Sequence, residues 1–187
     1  MNVTTSTGVK IEPYNSSRVE LHLGPRYRFY KELMFAFEFR TDSANGTLFY
    51  GRSEAYPEEF VALVLRNGRP VHKIQCPSLH ADITLPSTIF PPLNDNRWHR
   101  VIYSTRLGRF GYNGIIDVDG TNHTSVYEVN CEDFDTVIFG GHRPTHVGTL
   151  LPAEMTDHGS FEGCMKEAYF PYPFSSPGGY YVVSQCD

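Results

Sequence analysis

The chain has 187 residues, 40% hydrophobic and 20% charged, a composition typical of a folded protein rather than a disordered one. Its net charge of −5 and pI near 5.9 argue against nucleic acid as a partner. No run approaches the roughly 20 apolar residues that span a bilayer, and the start MNVTTSTG lacks an apolar signal core. We expect a single domain over 1–187, with 1–8 as a flexible leader, inside a longer parent protein.

Hydrophobic alternation and turn residues predict strands along almost the whole chain. Phenylalanine at every second position of LMFAFEFR, at Phe35, Phe37 and Phe39, favours strand over helix. The dipeptides Asn45-Gly46 and Asn67-Gly68 predict tight turns between strands. The predicted strands are 18–23, 33–40, 47–51, 60–65, 70–75, 83–85, 98–105, 115–119, 125–129, 136–139, 161–170 and 180–183.

The stretch from Asn94 to Gly120 predicts the most complete hairpin. A strand with alternating faces runs through His99, three glycines then permit a turn, and a second strand ends at Asp119-Gly120. We interpret Asp117 and Asp119 as strand-end and turn residues rather than as a catalytic pair or a calcium loop. We interpret His99 as a packed, hydrogen-bonded side chain.

Two features predict an extracellular protein, either secreted or an ectodomain. Four Asn-x-Ser/Thr sequons, at Asn2, Asn15, Asn45 and Asn122, exceed the roughly one or two expected by chance. The four cysteines contain no C-x-x-C pair, so they fit disulfides better than zinc. We expect Asn45 and Asn122 to be exposed because both lie near turns, and the parent protein to be membrane-anchored or part of the matrix.

About a dozen short strands with closely spaced turns predict an all-β fold, an antiparallel two-sheet jelly-roll sandwich. Five fragments occur in order: FEFRTDSANGTLFYG, FVALVLRNGRP, NRWHRVIYSTRLGRFGYNGIIDVDG, VIFGG, and FEGCMKEAYF with a final Cys186. In this order and spacing they resemble a laminin G-like (LNS) domain. The resemblance implies two curved sheets of about 14 strands in all, the concanavalin A-like architecture, in one module of a multidomain protein.

The resemblance also implies a disulfide between Cys164 and Cys186, whose loop closure is worth roughly 3 kcal/mol. Cys76 and Cys131 are then left for each other, which departs from the common family pattern. The resemblance places this pair beside the two loops whose carbonyls hold calcium in related domains. A disulfide there is an alternative way to organise the same rim.

Calcium binding at this rim stays open because the resemblance places Glu59 where a first Asp is usual and Asp133 nearest the second. Calcium needs six to eight oxygen ligands, and the longer Glu moves its carboxylate outward by about one bond. A local cluster of negative charge favours a cation, but a solvated acidic loop explains the same residues. The cluster comprises Glu54, Glu58, Glu59, Glu132, Asp133 and Asp135. No cofactor is assigned on this basis.

Two sets of basic residues suggest binding of heparan sulfate or another anionic glycan, as the resemblance implies for some family members. They flank two predicted turns: Arg66, Arg69 and Lys73 with His72 at the first, and Arg97, Arg100, Arg106 and Arg109 at the second. Ordinary solvated strand faces explain both sets equally well.

No G-x-S-x-G, H-E-x-x-H or phosphate-loop motif occurs, so we do not expect an enzyme. The leading hypothesis is a noncatalytic adhesion or receptor-recognition module that binds an extracellular protein through rim loops at 54–59, 76–80 and 130–135. A glycan-binding module is the alternative. A glycan-active enzyme with two facing carboxylates is the third hypothesis.

Overall fold

The computed structural model describes residues 8–13, 17–22, 34–53, 55–56, 58–77, 79–108, 111–127, 134–141, 159–169 and 179–186. Within these ranges the regular secondary structure consists of β-strands alone, and no helix there is long and apolar enough to cross a membrane. The strands are β1 (Val9–Ile11), β2 (Arg18–His22), β3 (Met34–Arg40), β4 (Gly46–Arg52), β5 (Phe60–Arg66), β6 (Arg69–Cys76), β7 (Leu79–Thr84), β8 (His99–Gly108), β9 (Gly111–Val118), β10 (Thr121–Tyr127), β11 (Thr136–Phe139), β12 (Gly163–Tyr169), β13 (Gly179–Tyr181) and β14 (Val183–Gln185).

The strands form two antiparallel sheets of seven strands each. Sheet A has the order β10-β9-β8-β3-β12-β1-β14, and sheet B has the order β13-β2-β11-β4-β5-β6-β7. Neighbours that are distant in sequence, such as β3 and β12, show that the chain crosses repeatedly between sheets, as in a jelly roll. The predicted all-β two-sheet sandwich is confirmed.

The phenylalanines of β3 join the two sheets. Phe35, Phe37 and Phe39 are fully buried between the layers. The ring of Phe35 meets Phe49 and Phe139 of sheet B edge-on, with ring centroids 4.8 and 5.8 Å apart. Burying each such side chain contributes roughly 1.5–3 kcal/mol. The period-two run that predicts the strand therefore also supplies much of the core.

Strand β5 is buried on both faces, which explains its unbroken hydrophobic sequence FVALVL. Val61, Leu63 and Leu65 belong to the cluster between the sheets. Ala62 and Val64 face the other way, toward a second buried cluster on the outer face of sheet B. The second cluster comprises Tyr50, Phe60, Ala62, Val64, Val71 and Ile138.

Of the three predicted dipeptide turns, Asn67-Gly68 and Asp119-Gly120 form as expected, whereas Asn45-Gly46 does not close a hairpin, because β3 and β4 lie in different sheets. Asn67 and Gly68 have φ of 54° and 73°, and Asp119 and Gly120 have φ of 54° and 84°. Positive φ at both central positions is the signature of the type I′ turn that closes two-residue hairpins. At Gly68 a side chain is excluded for a second reason, because a Cβ would collide with Oδ1 of Asn94.

The strand predictions are wrong at several boundaries. β7 and β10 begin at Leu79 and Thr121, earlier than the predicted 83 and 125, and the three-residue β1 was not predicted. The predicted single strand 180–183 is two strands in different sheets, β13 in sheet B and β14 in sheet A. Val182 separates them with φ of 50°, a conformation in which a β-branched residue cannot continue a strand.

Candidate functional site

Three predicted loops meet at one end of sheet B. The strand register aligns Arg52, Phe60, Gln75 and His80 in one row, and Thr136 continues this row on β11. The segments that continue beyond this row of residues therefore leave sheet B at the same end of its strands. We call their described residues the acidic rim: 53, 55–56, 58–59, 76–77 and 134–135.

The base of the acidic rim contains buried charged residues. Arg52 is 3% exposed and Glu59 is 4% exposed, and Arg52 lies opposite Phe60, the residue that follows Glu59. The backbone N–H of Asp135 donates to the carbonyl of Arg52 at 3.1 Å, and Oγ1 of Thr136 donates to Oδ1 of Asp135 at 2.9 Å. Buried charges persist only with polar or opposite-charged surroundings. We therefore assign Arg52 and Glu59 to the architecture of the rim rather than to its contact surface.

The outer part of the acidic rim exposes an aromatic residue beside a carboxylate. Tyr56 is 43% exposed and Glu58 is exposed. Local bonds shape this loop, since Ala55 N–H donates to Ser53 Oγ at 3.2 Å and Glu59 N–H donates to the Tyr56 carbonyl at 3.0 Å. Exposed tyrosines combine large contact area with a hydrogen-bonding hydroxyl and are enriched in protein interfaces.

The cysteines are engaged in disulfides as far as the structure describes them. Cys164 and Cys186 are joined, with Cα atoms 6.0 Å apart, which is the pairing implied by the family resemblance. Cys76 is disulfide-bonded at the acidic rim. Several predicted site residues lie outside the described residues, and the pairing of Cys76 with Cys131 stays a prediction. These residues are Asn2, Asn15, Glu54, Arg109, Cys131, Glu132 and Asp133.

The described residues do not by themselves fit a calcium ion. Glu59 is the one predicted ligand among them, and a buried guanidinium, Arg52, lies opposite the next residue of the chain. No group of three or more His, Cys, Asp or Glu side chains in the described ranges is arranged to hold a metal. Calcium requires six to eight oxygens, so a site here would need ligands from residues 131–133, which lie outside the described residues.

Both described sequons lie away from the acidic rim. Asn45 precedes β4 while the rim follows it, so the two are about 20 Å apart along the strand. The side-chain Oδ1 of Asn45 accepts a bond from Asn67 N–H at 3.0 Å, which leaves Nδ2, the atom that carries an N-glycan, available. Asn122 is exposed on β10, in the other sheet.

The first basic set is partly neutralised by one carboxylate. Lys73 Nζ donates to Asp82 at 2.7 and 2.8 Å, and Arg66 donates to the same carboxylate at 3.2 Å. Burial alone would raise the pKa of Asp82, but Lys73 and Arg66 together lower it. The Lys73 side chain is itself buried. Of this predicted set, Arg66 is exposed, whereas Arg69 is half-buried and one nitrogen of its guanidinium is fully buried.

The described members of the second basic set lie in and near sheet A. Arg97 Nε donates to Asp95 Oδ2 at 2.6 Å in the turn before β8, while Arg100 and Arg106 are exposed on β8. Arg66, Arg69 and Arg97 adjoin a region where the ends of three loops are hydrogen-bonded together. We call this region, 41–45, 67–68 and 93–97, the turn end of the sandwich, because it lies at the end of sheet B opposite the acidic rim.

A histidine between two carboxylates stabilises the turn end, and sequence reasoning found only that it is hydrogen-bonded. His99 Nε2 lies 2.9 Å from Asp95 Oδ1, and His99 Nδ1 lies 2.7 Å from Asp119 Oδ2. Hydrogen bonds from Arg97 and then His99 hold the pKa of Asp95 well below its usual value, against the effect of desolvation. The separation of four residues between Asp95 and His99 was the only sequence feature that pointed to their contact.

A second histidine lies in the opposite electrostatic environment, inside the sandwich. His72 of β6 is completely buried, and its Nε2 lies 3.2 Å from the hydroxyl of Tyr103 in the facing sheet. Burial, assisted by His123, lowers the pKa of His72 to about 3. His72 is therefore neutral near pH 7 and links the sheets, and it is not part of an exposed basic patch.

These two seven-stranded sheets with a disulfide at the C-terminal strand define an antiparallel jelly-roll module. A sequence profile described as "Laminin G domain" matches residues 39–171, which is 133 of the 187 residues. The chain belongs to the laminin G domain family. Domains of this family typically act as adhesion and binding modules for proteins and glycans and are generally noncatalytic.

Solved structures agree on the fold. The structure of domains LG4-5 of the mouse laminin alpha1 chain superposes with a TM-score of 0.75 at 20% identity, covering 97% of this chain and 47% of that chain. The LG1-3 region of the laminin alpha2 chain gives 0.62 at 22% identity, covering 89% and 33%. A heptameric SAP-like pentraxin from Limulus polyphemus gives 0.57 at 12% identity, covering 87% and 75%. The chain thus spans about half, or less, of the two laminin structures. No match is found among curated protein sequences.

Proposed function

We propose that this domain is a noncatalytic extracellular recognition module that binds another protein through the acidic rim. The observation that carries this proposal is the position of the rim relative to the sequons. Asn45 lies at the other end of sheet B and Asn122 lies in sheet A. Glycans at these two positions leave the rim accessible. The disulfides support an oxidising, extracellular location.

The exposed side chains of the rim define the chemistry of the partner. Tyr56 offers an aromatic anchor and Glu58 offers a carboxylate beside it. The chain has a net charge of −5, so a basic partner is attracted over long range as well as at the contact. The partner is therefore a protein that presents an apolar pocket rimmed by lysine or arginine.

Adhesion of cultured cells to the immobilised domain tests this proposal after heparan sulfate has been removed from the cells by lyases. Adhesion should persist, and Tyr56→Ala with Glu58→Lys should raise the domain density needed for half-maximal adhesion by at least about tenfold, the effect of losing one hot spot. Tyr180→Ala is the matched control, because Tyr180 is similarly exposed on β13. Loss of wild-type adhesion after lyase treatment, or an equal loss in the control, would overturn the proposal.

Glycan binding at the turn end is the second candidate function. It is favoured by the hydrogen-bonded loops that bring Arg66 and Arg69 to the same end as Arg97. In this alternative, wild-type protein elutes from heparin above about 0.15 M salt, where long-range attraction is already screened. Arg69→Ala with Arg97→Ala should abolish retention, whereas Arg106→Ala, on the outer face of β8, should not. Flow-through of the wild type at physiological salt would exclude it.

A further inference from the structure

The outer face of sheet A carries an apolar strip that runs from the middle strand, β3, to β9, next to the edge strand β10. Met34 of β3 is 42% exposed, and Ile102 of β8 and Ile115 of β9 are half-buried. Their chain neighbours Val101, Tyr103 and Ile116 are buried on the opposite face, in the core. The three side chains therefore lie outside the sandwich, and we call them the outer strip.

The sequon at Asn122 lies on the same face, directly beside the outer strip. In the register, Asn122 pairs with Asp117, which pairs with Ile102, and Thr124 of the same sequon pairs with Ile115. Asn122 and Thr124 are both exposed. Strands lie about 4.8 Å apart, so Asn122 is about 10 Å from Ile102 and nearer to Ile115.

We propose that an N-linked glycan on Asn122 packs its core N-acetylglucosamine units on the outer strip and covers Ile102 and Ile115. The C–H faces and acetyl methyl groups of these sugars suit aliphatic side chains, whereas their hydroxyl and amide groups suit polar neighbours. Asp117 and Ser104 supply such neighbours, because they are interleaved with the outer strip in the register. The face thus alternates apolar and polar groups as an amphipathic sugar does.

A covalently attached occupant is favoured over a separate partner for an energetic reason. Asn122 holds the sugar within reach of the strip, so its packing does not carry the loss of translational freedom that a second molecule would face. Asn45 provides the contrast within the same chain. Its side chain lies in a loop, bonded to Asn67, and the adjacent Ser43 hydroxyl donates to the Asn45 carbonyl at 3.0 Å. The glycan at Asn45 has polar surroundings and is the natural control.

Thermal unfolding of protein secreted from mammalian cells tests the inference. Asn122→Gln should lower the midpoint by about 2–4 °C, whereas Asn45→Gln should change it by less than about 1 °C. In an Ile102→Ser, Ile115→Ser background the effect of Asn122→Gln should disappear, because the sugar has lost its apolar surface. This cycle separates sugar packing from any direct role of the Asn122 side chain.

Methyl NMR of isoleucine-labelled protein gives a second readout that does not depend on stability. Enzymatic removal of the whole glycan should shift the methyl signals of Ile102 and Ile115. Ile138, on the other sheet, serves as the unaffected reference. The inference is overturned if mass spectrometry finds Asn122 unmodified, if the methyl signals do not move, or if Asn122→Gln has the same effect with and without the isoleucines. The methyl shifts and the unfolding midpoints do not depend on binding at the acidic rim, and the adhesion assay does not depend on Ile102 or Ile115, so the two proposals fail separately.

Discussion

The two ends of sheet B use polar groups for different purposes. At the turn end, loops bond to one another: Gly68 N–H donates to the Ala44 carbonyl, Leu93 N–H to the Gly68 carbonyl, and Asn96 N–H to the Thr41 carbonyl. At the acidic rim, by contrast, charged groups are buried at the base while Tyr56 and Glu58 point to solvent. Acidic loop residues are therefore not equivalent, because Asp95 supports the fold whereas Glu58 is available to a partner.

The largest effect is expected when the histidine that bridges Asp95 and Asp119 is removed. His99→Leu takes away the hydrogen-bonding partner that the two carboxylates share, and breaking a buried pair costs about 3–5 kcal/mol. Asp95 and Asp119 are 30% and 47% exposed, so we expect a smaller loss of about 2–3 kcal/mol. Chemical denaturation measures it. In an Asp95→Asn, Asp119→Asn background the same change should cost clearly less, and an equal cost would refute the electrostatic explanation.

Acidification should weaken the core that both ends share. The folded pKa of His72, about 3, lies below its unfolded value of 6.5, so the unfolded state gains the proton first and stability falls as pH drops below 6.5. Between pH 6.5 and 5 the loss should be about 2 kcal/mol. Asp82 and Asp95 have lowered pKa values, so the stability that they contribute is lost only as the pH falls below about 4.

The control for the acid effect is His72→Gln, which retains a hydrogen-bonding group for Tyr103 but cannot titrate. Denaturation midpoints at pH 6.5 and 5.0 should converge in this variant. A wild-type pH dependence that survives the substitution would show that other histidines are responsible.

A backbone change at the turn end should have a smaller effect. Gly68→Ala introduces a side chain at φ of 73° and against Asn94 Oδ1, for which we expect a loss of about 2 kcal/mol. Gly120→Ala has similar φ, 84°, but meets nothing within 4 Å, so it should cost only the conformational strain of about 1 kcal/mol. Equal losses in thermal unfolding would show that the contact with Asn94 is unimportant.

Substitutions at the exposed rim should have the smallest effect on stability. Tyr56→Ala and Glu58→Lys should change the free energy of unfolding by less than about 0.5 kcal/mol, the usual range for exposed positions. A larger change would place these residues in the architecture of the fold and remove the contrast with the turn end.

Removal of calcium by EDTA should likewise shift the unfolding midpoint by less than about 1 °C, because Arg52 already places a positive charge at the base of the rim. Calcium at 100 times its dissociation constant would instead add about 2.7 kcal/mol. A stabilisation of that size would show that residues 131–133 complete a calcium site.

The sequence predicted the structure correctly where a local residue pattern determines it. Phe35, Phe37 and Phe39 specify both a strand and its buried face, and Asn67-Gly68 and Asp119-Gly120 specify their turns. It was a poor guide at the C-terminal strands. Tyr180 to Val183 has the composition of one strand, and the switch between sheets at Val182 depends on pairing with β2 and β1, which lie far away in sequence.

Predictions about side-chain chemistry were limited in the same way. The basic residues near Asn67-Gly68 were visible, but their neutralisation by Asp82 depends on the pairing of β6 with β7. Asp119 was recognised as a turn residue, yet its bond to His99 requires the register of β8 with β9. Pairwise contacts across strands are set by register, and composition does not encode them.

The route of the chain at its two described ends also has a mechanical consequence. Gly8 accepts a backbone bond from Cys186 N–H at 3.1 Å, and β1 lies antiparallel to β14 between that strand and β12. Tension entering before β1 and leaving after Cys186 therefore meets at one corner of the sandwich. The Cys164–Cys186 bridge carries that load directly into β12, so the covalent path of the force bypasses the chain between these cysteines, and β14 is loaded only through its hydrogen bonds to β1.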